Sequence, residues 1–305
     1  MNRYCISCGL PLKGEDLMHE KCVRRVFSVS KIPSVRFSLN EISEKAQECV
    51  GKLSISGVQP KLSTKINRKN GEVEVVYAGG QFILKPQTDR FPEMPQNENM
   101  CMTIFEIAGV KTALHGIVTL RDGSSAYIVR RFDRKGNKKI HFEDLQSVIQ
   151  ADDKYAGSAE RVGEAIRAYA KFPGLEIQNF FKIVVMNFIV GNGDGHLKNY
   201  GFLYDDDNEK VLSPCYDIVS SKLVIKNEED SALTVNGKKN KLKADDFLRL
   251  ANAMKMDESI CLNIIKEVLD SRDKIMNFVE DYPFINDKKE NFMIILEDGY
   301  KRLKK

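Results

Sequence analysis

A glycine-rich loop at residues 191–201 holds the residues of this sequence best suited to chemistry. It reads Gly191-Asn-Gly-Asp194-Gly-His196-Leu-Lys198-Asn199-Tyr-Gly201 and follows a strongly apolar segment. Glycine and asparagine are common turn formers, so the loop also fits a plain polar turn. A turn does not need a lysine and an asparagine at fixed spacing after an aspartate, whereas phosphoryl transfer does. In that reaction a carboxylate accepts the proton of the attacking hydroxyl, a cation stabilises the transferred group and an asparagine oxygen ligates Mg²⁺.

A second aspartate, Asp217, lies among apolar and aromatic residues in the segment 212–220. Residues 200–204 and 210–212 are predicted to form a hairpin, which would fold Asp194 and Asp217 back to the same end. The acidic tip at 205–208 is interpreted as a solvated turn. Calcium binding there is a weak alternative, because the spacing lacks the glycine and the distal glutamate of an EF-hand.

Two further segments could contact phosphates. Lys85 ends an apolar strand and Glu98 follows at the start of a helix, so the two could pair and hold the lysine on a nucleotide. An ordinary solvated strand-end lysine and a glutamate favoured by the helix dipole are the alternatives. In Ser54-Ile-Ser56-Gly57, backbone amides could cover phosphates and the hydroxyls could be modified, but the segment matches neither the Walker pattern nor a triple-glycine loop.

The start of the chain carries three of its seven cysteines. Cys5 and Cys8 form one pair and His19 and Cys22 another, each with a two-residue gap, which is the spacing of a four-ligand Zn²⁺ site. Such a site would be structural, since four protein ligands leave no open position for a substrate. The alternative is that a strand and a helix happen to carry thiols, with an exposed histidine.

These residues must be positioned by a strand-rich first third and a helix-rich remainder. Strands are predicted at 73–77 and 80–85, joined as a hairpin, and at 125–130, with a helix at 97–108. Later helices are predicted from apolar spacing at 142–149, 158–170, 177–190, 244–253 and 259–281. The fold class is therefore predicted as α+β with two lobes. The predicted division is a cysteine-rich element at 1–30, a strand-rich lobe at 31–133 and a helical lobe at 134–305.

Composition narrows the class of protein. The 305 residues are 42% hydrophobic and 30% charged, which is typical of a globular chain, and the net charge is only +4. That charge is low for a protein that binds nucleic acid or a membrane surface directly. No apolar run approaches the roughly 20 residues of a bilayer span. The odd cysteine count and the absence of a signal-like start favour a reducing compartment, so a cytoplasmic enzyme is expected.

Taken in order, the motifs resemble the HipA-like serine/threonine kinases of bacterial toxin–antitoxin systems, and most of all the short HipT-type toxins. The resemblance runs from about residue 53 to the C-terminal helices. It rests on an ordered set of short motifs: Ser-Ile-Ser-Gly-Val-Gln-Pro-Lys, Phe-Ile-Leu-Lys-Pro, Asn-Glu, Arg-Arg-Phe-Asp-Arg, Asn-Gly-Asp-Gly-His-Leu-Lys-Asn and Tyr-Asp. It implies a two-lobed protein-kinase-like fold that uses ATP and Mg²⁺.

The resemblance implies a role for each candidate residue. In the helical lobe, the implied roles are catalytic base for Asp194, stabilisation of the transferred group for Lys198, Mg²⁺ binding for Asn199 and Asp217, and a structural or ATP-contacting position for His196. In the strand-rich lobe, the resemblance implies that Lys85 binds phosphates and that Glu98 supports this lysine. It implies an adenine-binding hinge at Arg130, Arg131 and Phe132. It also implies that Ser56 and Gly57 cover the phosphates and that Ser54 and Ser56 are autophosphorylated.

The resemblance also implies partners. Toxins of this family phosphorylate aminoacyl-tRNA synthetases, so a protein substrate of that kind is expected. Longer HipA proteins carry a further N-terminal domain, which is not expected here, and a small accessory protein resembling it is found in HipBST-like three-gene systems. That protein and an antitoxin with a helix-turn-helix are expected partners, with no direct contact to nucleic acid or membrane.

Two other functions fit parts of the sequence. One is a kinase that acts on a small molecule. The other is a catalytically silent module that binds DNA through its antitoxin, for which the basic segment 238–243 would be the main feature. That segment is interpreted instead as a solvated loop, because a net charge of +4 gives little attraction to phosphates.

Overall fold

A computed structural model describes residues 3–49, 60–136, 138–284 and 286–304. Its chain divides into two compact units. The first comprises Met1–Thr103, Ala113–Lys138 and Asp281–Phe284, and the second Ile104–Thr112, Lys139–Glu280 and Ile285–Lys305. The predicted boundaries at residues 30 and 133 remain predictions.

The first unit begins with a small hairpin and a short helix. Strands β1 (Arg3–Tyr4) and β2 (Pro11–Leu12) pair antiparallel, and helix α1 (Glu20–Phe27) follows. The turn after Cys5 closes through Gly9, whose φ of 64° is a left-handed conformation that glycine adopts without strain. A second helix, α2 (Leu39–Cys49), precedes the main sheet.

The main sheet of this unit has five antiparallel strands. They are β3 (Leu62–Asn67), β4 (Glu72–Val75), β5 (Phe82–Pro86), β6 (His115–Thr119) and β7 (Ser125–Arg130), in the order β4-β3-β5-β7-β6. Helix α3 (Met94–Ile107) lies between β5 and β6 in the chain. Two short paired strands, β8 (Arg134–Lys135) and β9 (Lys138–Lys139), follow β7.

The predicted hairpin between residues 73–77 and 80–85 is wrong. Strand β3 lies between β4 and β5 and pairs with both, for example Ile66 with Val73 and Leu62 with Leu84. The true hairpin is β3–β4, closed by a turn at Gly71 with a φ of 72°. Gly80 permits the return to β5, since a Cβ there would lie 2.0 Å from the Ser63 hydroxyl.

The second unit is mainly helical. Its helices are α4 (Leu145–Val148), α5 (Ala159–Tyr169), α6 (Pro173–Val190), α7 (Ala244–Ala253), α8 (Glu258–Asp270), α9 (Arg272–Asp281) and α10 (Asn286–Leu303). Helix α6 is buried over most of its surface, which explains its nearly continuous apolar sequence. No helix among the described residues is long and apolar enough to cross a membrane.

A three-stranded antiparallel sheet completes the second unit. It consists of β10 (Phe142–Asp144), β11 (Gly201–Tyr204) and β12 (Lys210–Leu212), with β11 in the centre. The predicted β11–β12 hairpin is confirmed, with Phe202 opposite Leu212. Because the hairpin begins after the loop at 191–200 and ends before Asp217, it returns the chain to that loop.

Two helix predictions in this unit need correction. Residues 142–149 are not one helix, because Phe142–Asp144 pairs with β11 and Asp144 then caps the short α4 by accepting a hydrogen bond from the Ser147 amide. Residues 259–281 form two helices rather than one. They are separated at Ser271, whose hydroxyl donates to the Val268 carbonyl at 2.7 Å.

Candidate active site

The loop at 191–200 exposes two side chains and buries the others. The exposed pair is Asp194 and Lys198, the proposed base and the proposed cation. The flanking Asn192, His196 and Asn199 are 1–8% exposed. The loop therefore presents one carboxylate and one ammonium group to solvent from a backbone that is otherwise packed in the core.

Buried polar contacts hold this loop in shape. Helix α6 ends at Gly191, whose φ of 68° is a left-handed C-cap. The Asn192 amide donates to Asn187 Oδ1 at 2.9 Å, and Asn187 donates to the Tyr200 hydroxyl at 3.0 Å. A Cβ at Gly193 would lie 2.5 Å from the Glu229 carbonyl, so only glycine fits there. Gly191, Asn192 and Gly193 are thus structural, and the polar-turn interpretation accounts for these three residues but not for Asp194 and Lys198.

Tyr155 is a site residue that the sequence did not indicate. Its hydroxyl donates a 2.7 Å hydrogen bond to Asp194 Oδ1. The segment that contains Tyr155 also bonds to the loop backbone, because the Leu197 amide donates to the Lys154 carbonyl at 3.0 Å. Burial and the Asp194 carboxylate raise the pKa of Tyr155 well above its usual value, so the phenol stays a proton donor to Asp194.

Asn199 and Asp217 lie side by side. Asn199 Nδ2 is 3.4 Å from Asp217 Oδ2, and Asn199 Oδ1 accepts a 3.0 Å hydrogen bond from the His196 amide. Tyr216, the residue before Asp217, donates its hydroxyl to the Lys198 carbonyl at 2.6 Å. This hydrogen bond holds the backbone beside Asp217 against the loop. Asp217 itself has a φ of 60°, an uncommon conformation that often marks a functional position.

The adjacent carboxylate and amide fit a divalent cation. Oxygen ligands from aspartate and asparagine suit Mg²⁺, which commonly takes one or two protein carboxylates plus phosphate oxygens and water. Asp217 supplies the carboxylate, and the Asn199 oxygen retains a second lone pair beside its bond from His196. These two residues would hold the ion, as the resemblance implies.

His196 is buried against Tyr155, with ring centroids 5.3 Å apart in an edge-on arrangement. Burial is the main cause that lowers the pKa of His196, so its ring favours the neutral form. Its main-chain amide orients Asn199, which is a structural role. Contact between His196 and ATP stays a prediction.

In the first unit, Lys85 and Glu98 form a buried ion pair. Lys85 Nζ lies 2.6 Å from Glu98 Oε1, and the two residues are 4% and 1% exposed. Strand β5 supplies the lysine and helix α3 the glutamate, but the helix begins at Met94, so Glu98 lies in its second turn and not at its start as predicted. The lysine also lies 5.5 Å from the centre of the Tyr127 ring on the neighbouring strand β7. The alternative of a solvated strand-end lysine is therefore wrong.

The predicted hinge residues begin at Arg130, the last residue of strand β7. The amides of Arg130 and Arg131 donate to the carbonyls of Leu114 and Gln81, at 2.7 and 2.8 Å. These two donors are therefore engaged within the chain, and the adenine contact implied for Arg130, Arg131 and Phe132 stays a prediction. The Arg130 side chain donates to the Arg25 carbonyl at 3.2 Å.

The remaining predicted residues divide into three groups. Ser54, Ser56 and Gly57 lie outside the described residues. The four zinc candidates come together, as detailed below. At the acidic tip, the alternative was calcium binding. Instead, the ammonium group of Lys171 lies 2.8 Å from the Asp205 carboxylate and also pairs with Glu209, so a lysine neutralises these carboxylates.

Two of the four lysines in the basic segment 238–243 form ion pairs within the chain. Lys238 bonds to Asp246 at 2.7 Å, and Lys239 lies 3.9 Å from Glu229. These ion pairs neutralise positive charge that a DNA-binding surface would present to phosphates. They favour the interpretation of this segment as part of the fold.

Comparison with known proteins gives a family. The model of the HipA-like C-terminal domain matches residues 53–275. A kinase-named protein of Haemophilus influenzae is 27% identical over 275 residues, covering 80% of this chain and 79% of that protein. The serine/threonine-protein kinase toxin HipA of Shewanella oneidensis is 26% identical over 211 residues, covering 61% of this chain but only 47% of that relative.

Solved structures give the same fold. Shewanella oneidensis HipA, in a complex with HipB and operator DNA, superposes with a TM-score of 0.66 at 18% identity, covering 85% of this chain and 69% of that one. The Helicobacter pylori proinflammatory kinase CtkA gives a TM-score of 0.61 at 17% identity, covering 89% and 95%. The predicted fold class and the predicted enzyme class, a kinase, are confirmed. The chain belongs to the HipA-like C-terminal domain family.

Proposed function

We propose that this protein is an ATP- and Mg²⁺-dependent serine/threonine protein kinase that acts as the toxin of a HipBA- or HipBST-like toxin–antitoxin system. One observation carries the proposal. The loop at 191–200 exposes only the carboxylate of Asp194 and the ammonium of Lys198, and its buried Asn199 adjoins Asp217. These are the residue types that phosphoryl transfer requires.

In the proposed reaction, Asp194 accepts the proton of the substrate hydroxyl. The hydroxyl oxygen forms a bond to the γ-phosphorus as the bond to the β-phosphate oxygen breaks, and ADP leaves. Lys198 stabilises charge on the phosphoryl group during transfer. Asn199 and Asp217 hold Mg²⁺, which neutralises phosphate charge when bound. Lys85, oriented by Glu98, binds nucleotide phosphates.

Several finer assignments belong to the same proposal. Ser54 and Ser56 are proposed autophosphorylation sites, and the added negative charge would modulate activity by repelling the nucleotide's phosphates. An aminoacyl-tRNA synthetase is the proposed protein substrate. An antitoxin with a helix-turn-helix is the proposed partner, supported by the HipB-bound relative, and a small accessory protein is proposed beside it.

Phosphate incorporation tests the proposed activity. The purified chain is incubated with Mg²⁺ and labelled ATP, and transfer to the chain itself and to added synthetases is measured together with intact mass. We expect Asp194→Asn to lose transfer by a factor of about 10² or more, the usual contribution of a general base. Asp207→Asn, an exposed aspartate of the acidic tip, is the matched control and should keep full transfer.

Equal incorporation by Asp194→Asn and wild type would remove Asp194 from the mechanism. Transfer only to a small acceptor, with none to any protein, would favour the small-molecule kinase instead. A Ser54→Ala, Ser56→Ala double variant that still incorporates phosphate as wild type does would overturn the assignment of the two serines.

A further inference from the structure

The cysteines at the start of the chain converge with a histidine. The Sγ atoms of Cys5, Cys8 and Cys22 and one ring nitrogen of His19 all lie within 4.8 Å of one another. His19 Nδ1 is 3.5 Å from Cys8 Sγ and 4.0 Å from Cys22 Sγ. Zn–S and Zn–N bonds of about 2.3 and 2.0–2.1 Å give a tetrahedral N–S edge of roughly 3.6 Å, so these separations suit one metal ion.

The surroundings of the cluster also fit a metal. His19 Nε2 lies 3.0 Å from the Pro11 carbonyl, a bond that fixes the ring and leaves Nδ1 to face the sulfurs. Cys5 and Cys22 are buried, while Cys8 and His19 are half-buried. Three thiols and one imidazole are a donor set that selects zinc over magnesium or calcium. All four positions come from the protein, so the site would be structural.

The cluster is connected directly to the helix that carries Glu98. The carbonyl of Ile6, between Cys5 and Cys8, accepts hydrogen bonds from Asn99 Nδ2 at 2.8 Å and Thr103 Oγ1 at 2.7 Å. Both donors belong to helix α3 and are fully buried. Asn99 directly follows Glu98, the partner of Lys85 at 2.6 Å. The turn between the first two cysteines is therefore an anchor point for this helix.

A second contact leads from the cluster to the strand that carries Lys85. Helix α1 contains Cys22 and ends at Phe27, whose ring centroid lies 6.4 Å from that of Phe82, the first residue of β5. The last turn of α1 also accepts a hydrogen bond from Arg130 at the Arg25 carbonyl. Both members of the ion pair are thus supported by elements that the four ligands hold together.

We propose that Cys5, Cys8, His19 and Cys22 bind one structural Zn²⁺ ion, and that this ion holds the Ile6 carbonyl where it anchors the helix bearing Glu98. The zinc site stands independently of the activity. Its consequence for catalysis rests on the proposed kinase function, because the anchored helix positions Lys85 for phosphates.

Metal analysis of the purified full-length chain is the first test. We expect one equivalent of zinc per chain, and after exchange with Co²⁺ the visible absorption of a tetrahedral site with thiolate charge-transfer bands. Cys8→Ala should lose both signals, whereas Cys261→Ala, which removes a buried thiol outside the cluster, should keep them. Less than a tenth of an equivalent of metal in protein prepared under reducing conditions, or full zinc content in Cys8→Ala, would overturn the proposal.

Hydrogen exchange tests the anchoring. Removal of zinc with a chelator should increase amide exchange in α3 at least about tenfold while leaving α7, in the second unit, unchanged. Thr103→Val should keep zinc and show part of the same increase. Thr112→Val, which removes a comparable 2.8 Å bond to Glu106, should not change exchange at residues 94–103. Unchanged exchange in α3 after zinc removal would refute the anchor.

The two proposals fail in different ways. A chain that contains zinc and shows the exchange response but transfers no phosphate would contradict only the kinase function. A chain that transfers phosphate without metal in the cluster would contradict only the zinc site.

Discussion

The hydroxyl of Tyr155 donates a 2.7 Å hydrogen bond to Oδ1 of Asp194, the exposed carboxylate of the loop at 191–200. The bond orients an exposed side chain in a loop whose other residues, apart from Lys198, are buried. Because the bond is to Oδ1, Oδ2 would accept the proton of the incoming hydroxyl in the proposed mechanism. Tyr155 is therefore a positioning residue for the proposed base.

Replacing Tyr155 with phenylalanine should slow phosphoryl transfer. A hydrogen bond to a charged group contributes about 1.5–3 kcal/mol, so kcat should fall by about 10- to 150-fold. The ATP KM should stay within about twofold, because Tyr155 acts on the base and not on the nucleotide. Steady-state kinetics with saturating protein substrate would measure both constants.

Tyr204→Phe is a suitable control for that variant. Tyr204 donates a comparable 2.8 Å bond to Glu143 in the same unit, outside the 191–200 loop. Its loss should leave kcat unchanged. Equal kcat values for Tyr155→Phe and wild type would show that Asp194 needs no such orientation.

Residues near one another in the chain could be assigned from the sequence. The spacing of Asp194, Lys198 and Asn199 indicated phosphoryl transfer, and the hairpin at 200–212 predicted the return of Asp217 to the loop. The 3.4 Å separation of Asn199 and Asp217 agrees with that expectation. A single turn was enough to predict this proximity, whereas the roles of these residues stay predictions.

Residues joined only by tertiary packing could not be assigned in this way. Tyr155 reaches Asp194 from a segment 39 residues away with no motif of its own. Strand β3 was missed because its buried positions include Ser63 and Thr64, which break the apolar alternation expected of a strand. Residues 142–144 look helical by spacing but pair with β11, since pairing overrides local propensity.

Replacing Asp217 with asparagine should weaken Mg²⁺-dependent ATP binding. The substitution removes one negative charge and keeps the size of the side chain. Asparagine also tolerates the φ of 60° at this position, so the backbone should not change. We expect ATP affinity in Mg²⁺ to fall at least about tenfold. Even the loss of a residue that only hydrogen-bonds to a metal ligand typically lowers metal affinity 10–100-fold.

Titration calorimetry with and without Mg²⁺ would measure this change. Affinity without the metal should differ little between Asp217→Asn and wild type. Asp206→Asn, in the turn between β11 and β12, provides a charge-matched control. Unchanged affinity of Asp217→Asn in Mg²⁺ would argue against Asp217 as a ligand.

Breaking the Lys85–Glu98 pair should destabilise the protein. With Lys85 4% exposed, Glu98→Gln leaves a buried charge without its carboxylate, and the expected loss in unfolding free energy is about 3–5 kcal/mol. The double variant Lys85→Met, Glu98→Leu removes both charges and should recover most of that stability while lacking phosphoryl transfer. Denaturant unfolding and transfer assays of the two variants would separate stability from activity; a double variant as unstable as Glu98→Gln would contradict this account.

Acid should destabilise the folded chain through His115. This ring is fully buried, and its Nδ1 atom lies 2.9 Å from Asn99 Oδ1. The ring stacks on Tyr127, with the two ring centroids 5.9 Å apart. Burial is the main cause that lowers the pKa of His115 to about 3, whereas the unfolded chain titrates near 6.5. Between these values the unfolded state binds one more proton, so stability falls as the pH decreases, by about 1.4 kcal/mol per pH unit for this group.

His115→Gln keeps a polar side chain that does not titrate, and its unfolding free energy, measured in urea from pH 6 to pH 4, should have a slope smaller by that amount. Acid-sensitive groups shared by the two proteins cancel in the difference, and equal slopes would show that His115 is protonated in the folded state.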